Sequence, residues 1–245
     1  LGSYDPHRPY DRGTGVASGM DPEQIRLFEC FPDALEVRSD VADYYYEVQR
    51  FDTLVAGAIQ LLAEIGELEN TIIVVTGDNG MPFPRCKANL YDYGTRMPLA
   101  VRWGSGIKNP GRILEDFVSL SDLAPTFLEV AGVEIPDVMT GKSMTGLFKS
   151  TEEGFVDREN RSYVLHGKER HVPAQEEHMG GYPCRAIRTH DFLYIRNFKP
   201  GRWPSGTPNY TQAAIPCAWL ADCDNGPTKT YMVENREKDE HNRRL

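Results

Sequence analysis

The stretch Thr71-Ile-Ile-Val-Val-Thr-Gly-Asp78-Asn79-Gly80 decides the reading of this chain. Residues 71–75 are an unbroken run of strand formers, the pattern of a strand buried on both faces of an α/β sheet. The run ends in a turn that sets a carboxylate beside an amide. Open α/β sheets bind their ligands outside the carboxyl ends of the strands. Asp78 and Asn79 offer two hard oxygens there, which suit Ca2+ or Mg2+. Asn-Gly is also a common turn signal, so taken alone these residues read equally well as a plain turn. Lys87, seven residues after Gly80, suits an anionic substrate held on such a metal.

Working outward, Val41, Tyr44, Tyr45, Val48, Phe51, Val55, Ile59, Leu62 and Ile65 recur at helical spacing. They predict a long amphipathic helix over residues 40–68, capped by Ser39, whose role is packing rather than chemistry. Residues 1–35 read as loop with one short helical turn. Helix, turn and strand together make the αβ half of a doubly wound unit. Residues 98–103 predict a second strand. A helix over 122–130 follows, capped by Ser121, with Pro125 in its first turn and Gly132 at its end. Residues 149–160 turn polar and place a boundary, giving units at 1–150 and 151–245. Beyond it, residues 162–166, 186–189 and 192–196 predict a small antiparallel sheet, the last two strands joined by a tight turn at His190-Asp191.

The 245 residues suffice for one large domain, or for a domain with a smaller companion. A composition 40% hydrophobic and 26% charged is that of a globular protein. A net charge of -9 without a long like-charge run argues against nucleic acid as the main partner. No run of about 18 apolar residues is present to span a membrane. The opening Leu1-Gly-Ser-Tyr has no Met and no signal pattern, so the expectation is a fragment whose first part is missing. The five cysteines form no C-x-x-C pair. Cys217 and Cys223 can close a short loop in an oxidising compartment.

Three further pieces carry polar chemistry on loops. In Asp5-Pro-His7-Arg8-Pro a histidine lies between two prolines, on a stiff backbone. Lys87 follows the equally stiff Pro82-Phe-Pro84. Glu169-Arg170-His171 follows a predicted strand. Each has a plain reading as a surface loop or solvated turn. Together they set metal ligands, anion ligands and acid catalysts beside strand ends. A G-x-S-x-G elbow, a phosphate-binding P-loop, a dinucleotide fingerprint and H-E-x-x-H are all absent.

The order Asp5-Pro-His7-Arg8-Pro, tyrosine-rich helix, Ile-Val-Val-Thr-Gly-Asp78-Asn79-Gly80, then Lys87-Ala-Asn-Leu-Tyr-Asp-Tyr-Gly-Thr-Arg-Met-Pro98 resembles the sulfatase family. Gly80-Met-Pro-Phe-Pro84, Gly181-Tyr-Pro-Cys-Arg-Ala-Ile-Arg188 and Tyr194-Ile-Arg-Asn-Phe198 are most similar to its heparan N-sulfatase (N-sulfoglucosamine sulfohydrolase) branch. The resemblance implies an alkaline-phosphatase-like α/β/α sandwich with a small antiparallel α+β C-terminal subdomain. It implies hydrolysis of a sulfate ester or sulfamate on a sulfated saccharide. In that family the hydrate of a formylglycine, made from a cysteine in C-x-P-x-R, attacks sulfur while a divalent cation, usually Ca2+, holds the sulfate oxygens. By motif, Asp78 and Asn79 are then metal ligands, and Lys87 binds the sulfate. His7 contacts the sulfate or the leaving group, with an acid role. The resemblance further implies export to a periplasmic, extracellular or lysosomal space. Glu169, Arg170 and His171 are candidates for substrate binding at the mouth of the site.

The departures are specific. C-x-P-x-R is absent: Cys30-Phe-Pro32-Asp-Ala34 has alanine in place of the arginine and follows the Pro-His-Arg-Pro motif instead of preceding it, which makes Cys30 a structural cysteine. Lys87 stands where the N-sulfatase branch can carry arginine. The family's paired N-terminal aspartates are missing too, so the expectation is a chain inactive by itself, its nucleophile outside these residues. A phosphatase or phosphodiesterase of the same fold, and a degenerate glycan-binding relative, remain the alternatives.

Overall fold

The computed structural model describes residues 2–171, 180–203 and 223–238. A short helix α1 (Thr14–Ala17) precedes α2 (Leu35–Glu64), the long helix that backs the first region. It starts earlier than the apolar spacing predicts, because Val37 is completely buried and extends the packed face backwards. Its N-cap is Ala34, in extended conformation and without a side-chain bond; Ser39 lies inside the first turns and does not cap. It also ends earlier. Gly66 takes φ 77, and Gly66 N and Glu67 N donate to Ala63 O and Leu62 O, the left-handed closure that glycine favours.

Strand β1 (Ile73–Thr76) follows, then a long loop, α3 (Asp92–Thr95) and β2 (Leu99–Arg102). β1 pairs antiparallel with β2, Ile73 opposite Arg102 and Thr76 opposite Leu99. No other strand pairs with them among the described residues, and all four β1 residues are half-buried. The expectation of a strand buried on both faces therefore fails here, because among the described residues its sheet is two strands wide. Helix α4 (Leu123–Val130) is preceded by a 3-10 turn whose cap is Ser119, not Ser121. Asp122 reaches back to Ser119 N at 3.1 Å, the reciprocal half of a capping box. Helix α5 (Thr145–Lys149) sits under β2, with Met144, Leu147 and Phe148 buried against Leu99, Val101 and Trp103.

Strands β3 (Tyr163–Lys168), β4 (Cys184–Thr189) and β5 (Leu193–Asn197) form an antiparallel sheet in the order β3-β4-β5. Its β4–β5 turn closes where Thr189 N donates to Phe192 O at 2.8 Å. Cys184 and Ala186 face Leu90 in a small core, which docks this sheet on the loop after β1. Arg188 on β4 adds a forked pair to Asp92, at 2.8 and 2.9 Å. Helix α6 (Pro227–Glu234) returns to α2, and its Tyr231 packs against the core of Phe31, Val37, Val41, Phe83 and Cys86. No described helix is long and apolar enough to cross a membrane.

Candidate functional site

β1 delivers Asp78 and Asn79 into an exposed turn at its carboxyl end. Neither side chain has a hydrogen-bond or ion-pair partner among the described residues. The turn is held by Gly80, where a Cβ would lie 2.4 Å from Tyr93 O and 2.7 Å from Gly94 Cα; any side chain would push the turn off α3. Two unspent hard oxygens on a fixed turn fit a divalent cation by donor type. Such ions take about six to eight oxygens. No group of three or more His, Cys, Asp or Glu poised for a metal exists among the described residues, so these two are a minority of a shell.

The loop that follows is tied to itself and to the core. Met81 O accepts from Phe83 N at 2.8 Å and from Lys87 N at 2.9 Å. Phe83 is fully buried against Phe31 and Tyr44. This packing sinks Lys87 until it is only 9% exposed. A buried ammonium needs an anion, and the structure supplies one: Nζ donates to Asp224 Oδ2 at 3.0 Å. The partner lies 137 residues away in sequence, and the sequence reading did not find it.

His7 is exposed, and its Nδ1 lies against Arg8 O. A carbonyl only accepts, so Nδ1 carries the proton in the neutral ring and Nε2 is left as the acceptor. The backbone under His7 is anchored by Arg8. Its guanidinium donates twice to Asp40, at 2.8 and 2.7 Å, and once to Pro82 O at 3.1 Å. It also stacks on Tyr10 and Phe83, at 4.5 and 4.8 Å from the ring centres. Asp40 takes two more donors, Thr228 N at 3.1 Å and Thr228 Oγ1 at 2.7 Å. Burial pushes the Tyr10 phenol far above its ordinary range, against the pull of Arg8.

The Arg8–Pro82 bond places the segment of His7 beside the Lys87 loop. A second bond, Lys168 Nζ to Ala88 O at 2.5 Å, brings the start of the 169–171 segment to that loop from the other side. Glu169 is engaged by Arg185, while Arg170 and His171 are exposed. The side chains of His7, Asp78, Asn79 and Lys87 share no hydrogen bond with one another. What joins them is common scaffolding. Cys30 sits half-buried in the core against Cys86. Their mutual hydrogen bond lowers the Cys30 thiol and, with burial, raises that of Cys86. Of Cys217 and Cys223, which can close a short loop only in an oxidising compartment, Cys217 lies outside the described residues.

Comparison with known proteins follows the same lines. The family model described as Sulfatase matches residues 3–133, more than half of the chain. A second, described as N-sulphoglucosamine sulphohydrolase, C-terminal, matches residues 85–202. An ulvan-active sulfatase of Formosa agariphila is 31% identical over 169 residues, which are 69% of this chain and 26% of the relative. The human N-sulphoglucosamine sulphohydrolase is 30% identical over 178 residues, 72% of this chain and 35% of the relative. The chain thus spans about a quarter to a third of the length of these curated relatives. A solved protein in complex with its substrate D-glucosamine-2-N,6-O-disulfate superposes with a TM-score of 0.50 at 27% identity, over 68% of this chain and 35% of the other. A further solved chain, from Bacteroides thetaiotaomicron, shares the fold at a TM-score of 0.53 and 18% identity, over 74% of this chain and 41% of its own.

Proposed function

Because this chain belongs to the sulfatase family, we propose that it supplies the metal-edge and sulfate-binding part of a hydrolase that cleaves sulfate from a sulfated saccharide. Residues 1–150 form part of its catalytic α/β domain, and 151–245 the smaller subdomain. One observation supports the reading: a loop that begins at exposed Asp78 and Asn79, which have no partner among the described residues, ends at Lys87, a buried lysine held by a carboxylate. Relatives at about this distance include an enzyme named for N-sulphoglucosamine and a protein solved with a glucosamine disulfate. We assign a sulfated amino sugar as the substrate class on that basis, and an exported location with it.

Asp78 and Asn79 would hold the divalent cation, Ca2+ by family and Mg2+ by the same oxygen chemistry. When bound, the ion adds positive charge where sulfate oxygens gather. Lys87 spends one N–H on Asp224 and has two more for a sulfuryl oxygen, so it binds the anion and stabilises charge that grows there in the transition state. His7 keeps Nδ1–H on Arg8 O; Nε2 is then the nitrogen that takes up and delivers a proton at the leaving group. Arg170 and His171, with Glu169, contact the saccharide from the neighbouring sheet. The formylglycine nucleophile belongs to sequence outside these residues.

The test is sulfate release from N- and O-sulfated glucosamine by the full-length protein. Lys87→Ala and Asn79→Ala are expected to lower kcat/KM by about 100-fold or more, the scale of losing one charge-stabilising group. Full activity in both variants would refute the assignment.

A further inference from the structure

Asp224 stands where a sulfate-binding lysine is least helped by it. Its carboxylate is 3.0 Å from Lys87 Nζ and only 18% exposed. An incoming sulfate that reaches Lys87 must come close to this second anion. Like charges at such range repel by an amount that lowers affinity. The segment that carries it is anchored at both ends. Lys229, 2% exposed, donates to Cys223 O at 2.8 Å on one side of Asp224. Thr228 is fixed to Asp40 on the other. Two anchors independent of Lys87 thus flank Asp224. Oδ2 is taken by Lys87, whereas Oδ1 has no partner among the described residues. A carboxylate oxygen left open on a partly exposed side chain can accept a hydrogen bond from a ligand.

We propose that Asp224 is a specificity residue: its Oδ1 accepts a hydrogen bond from an N–H or O–H that the substrate carries next to its sulfuryl group, while Lys87 holds a sulfuryl oxygen. This rests on the assignment of Lys87 as the sulfate ligand. The donor is either the N–H of a sulfamate itself or a hydroxyl on the carbon beside a sulfate ester. Free sulfate, which lacks such a donor when fully ionised, keeps the contact with Lys87 but meets the repulsion of Asp224 without that compensation. The pair thus favours sulfated sugar over the released anion, an attractive contact for one ligand and a penalty for the other. Asp224 also orients Lys87, but orientation alone would affect all sulfated ligands in one direction.

The experiment uses the full-length protein as wild type, Asp224→Ala and Asp224→Asn. Binding of inorganic sulfate and of N-sulfated and O-sulfated glucosamine is measured by calorimetry, and turnover of both sugars and of an aryl sulfate is measured in parallel. In both variants inorganic sulfate is expected to bind several-fold tighter, by loss of a like charge. The sugars are expected to lose about 10- to 100-fold in affinity and kcat/KM, the scale of one charge-assisted hydrogen bond. Aryl sulfate turnover falls less than sugar turnover. Loss confined to the N-sulfated sugar identifies the sulfamate N–H as donor; loss confined to the O-sulfated sugar identifies the hydroxyl. Equal losses on all ligands, or no change on any, would overturn the proposal. Asp224-dependent sugar binding without sulfate release by the wild type would instead overturn the sulfatase assignment and leave the carboxylate's role standing. Absence of both binding and release would sink the two together.

Discussion

Replacing Asp40 with alanine tests the structural base of the site. Asp40 is 2% exposed, and its partner Arg8 is 8% exposed. The substitution removes both oxygens that bind the guanidinium, at 2.8 and 2.7 Å, and the acceptor for Thr228 N and Oγ1. Two unit charges about 4 Å apart in an effective dielectric of about 20 attract by about 4 kcal/mol. Removing one member of a buried pair costs roughly 3–5 kcal/mol, because the other is left without a counter-charge. Asp40→Ala should therefore cost about 4 kcal/mol. With Arg8→Met already in place no orphan cation remains, and the same change should cost about half as much, a coupling of roughly 2 kcal/mol. Urea unfolding of the full-length protein, followed by tryptophan fluorescence at constant slope, measures all four corners of the cycle. A cost below about 1 kcal/mol, or single losses that add within about 0.5 kcal/mol, would refute a coupled buried pair.

Four other outcomes are expected. Asp78→Ala should leave stability within about 0.5 kcal/mol, as for exposed side chains without partners, yet abolish the rise in melting temperature that added Ca2+ gives the full-length protein; a retained rise would clear Asp78 of metal binding. Gly80→Ala should cost about 1–3 kcal/mol by overpacking, since its Cβ meets backbone at 2.4 Å, and an unchanged urea midpoint would contradict that contact. The Arg188 guanidinium holds the Asp92 carboxyl below its ordinary 3.8, so the stabilisation is complete above that value and is lost as pH falls through the lower folded value. The stability gap between wild type and Asp92→Asn should be constant near neutrality and close in acid; a gap independent of pH would rule the pair out. His171→Ala should raise KM for sulfated sugars with little change in kcat, and unaltered kinetics would remove it from the substrate site.

How much of this was legible in the sequence depends on the range over which each signal acts. The strands, α2 and the antiparallel sheet follow from local periodicity, and the predicted ranges overlap the observed ones. The helix predicted over 122–130 is observed as α4, but Ser121 is not its cap, although Ser119-Leu-Ser-Asp122 has a capping-box pattern. The buried face of α2 was not legible. Asp40, Asp43 and Glu47 lie at i, i+3 and i+7 and are all buried. An apolar moment ignores them, and a carboxylate in a helix is ordinarily a solvated one. They are buried because the 8–15 segment lies on that face: Arg8 reaches Asp40, and Gly13 N and Gly15 N donate to Asp43 at 2.9 Å. The helix read as mere packing is therefore the support of His7. The Lys87–Asp224 pair leaves no local trace at all, because only tertiary packing brings the two segments together.

The polar groups divide into two sets, and the division has a consequence for how function can be altered. Arg8, Asp40, Asp43, Asp122, Arg161 and Lys229 are buried, and each is matched by a donor or acceptor. Breaking any of these leaves an unsatisfied group in a low-dielectric interior, which is costly. Asp78, Asn79 and Oδ1 of Asp224 have no protein partner among the described residues. Removing Asp78 or Asn79 loses no internal bond among the described residues, whereas removing Asp224 strips buried Lys87 of its partner at 3.0 Å. Among the described residues nothing satisfies Asp78, Asn79 and Oδ1 of Asp224, which leaves them open to a ligand. Substitutions in the first set should lower stability and activity together, whereas those at Asp78 and Asn79 should change ligand response at nearly constant stability. Those at Asp224 should do both, because Lys87 loses its counter-charge. Lys87 lies between the sets, buried like the first and with N–H groups to spare like the second. Lys87→Ala should for that reason cost both, by orphaning the Asp224 carboxylate and by losing the sulfate contact, and only there should adding back an external ammonium restore part of each.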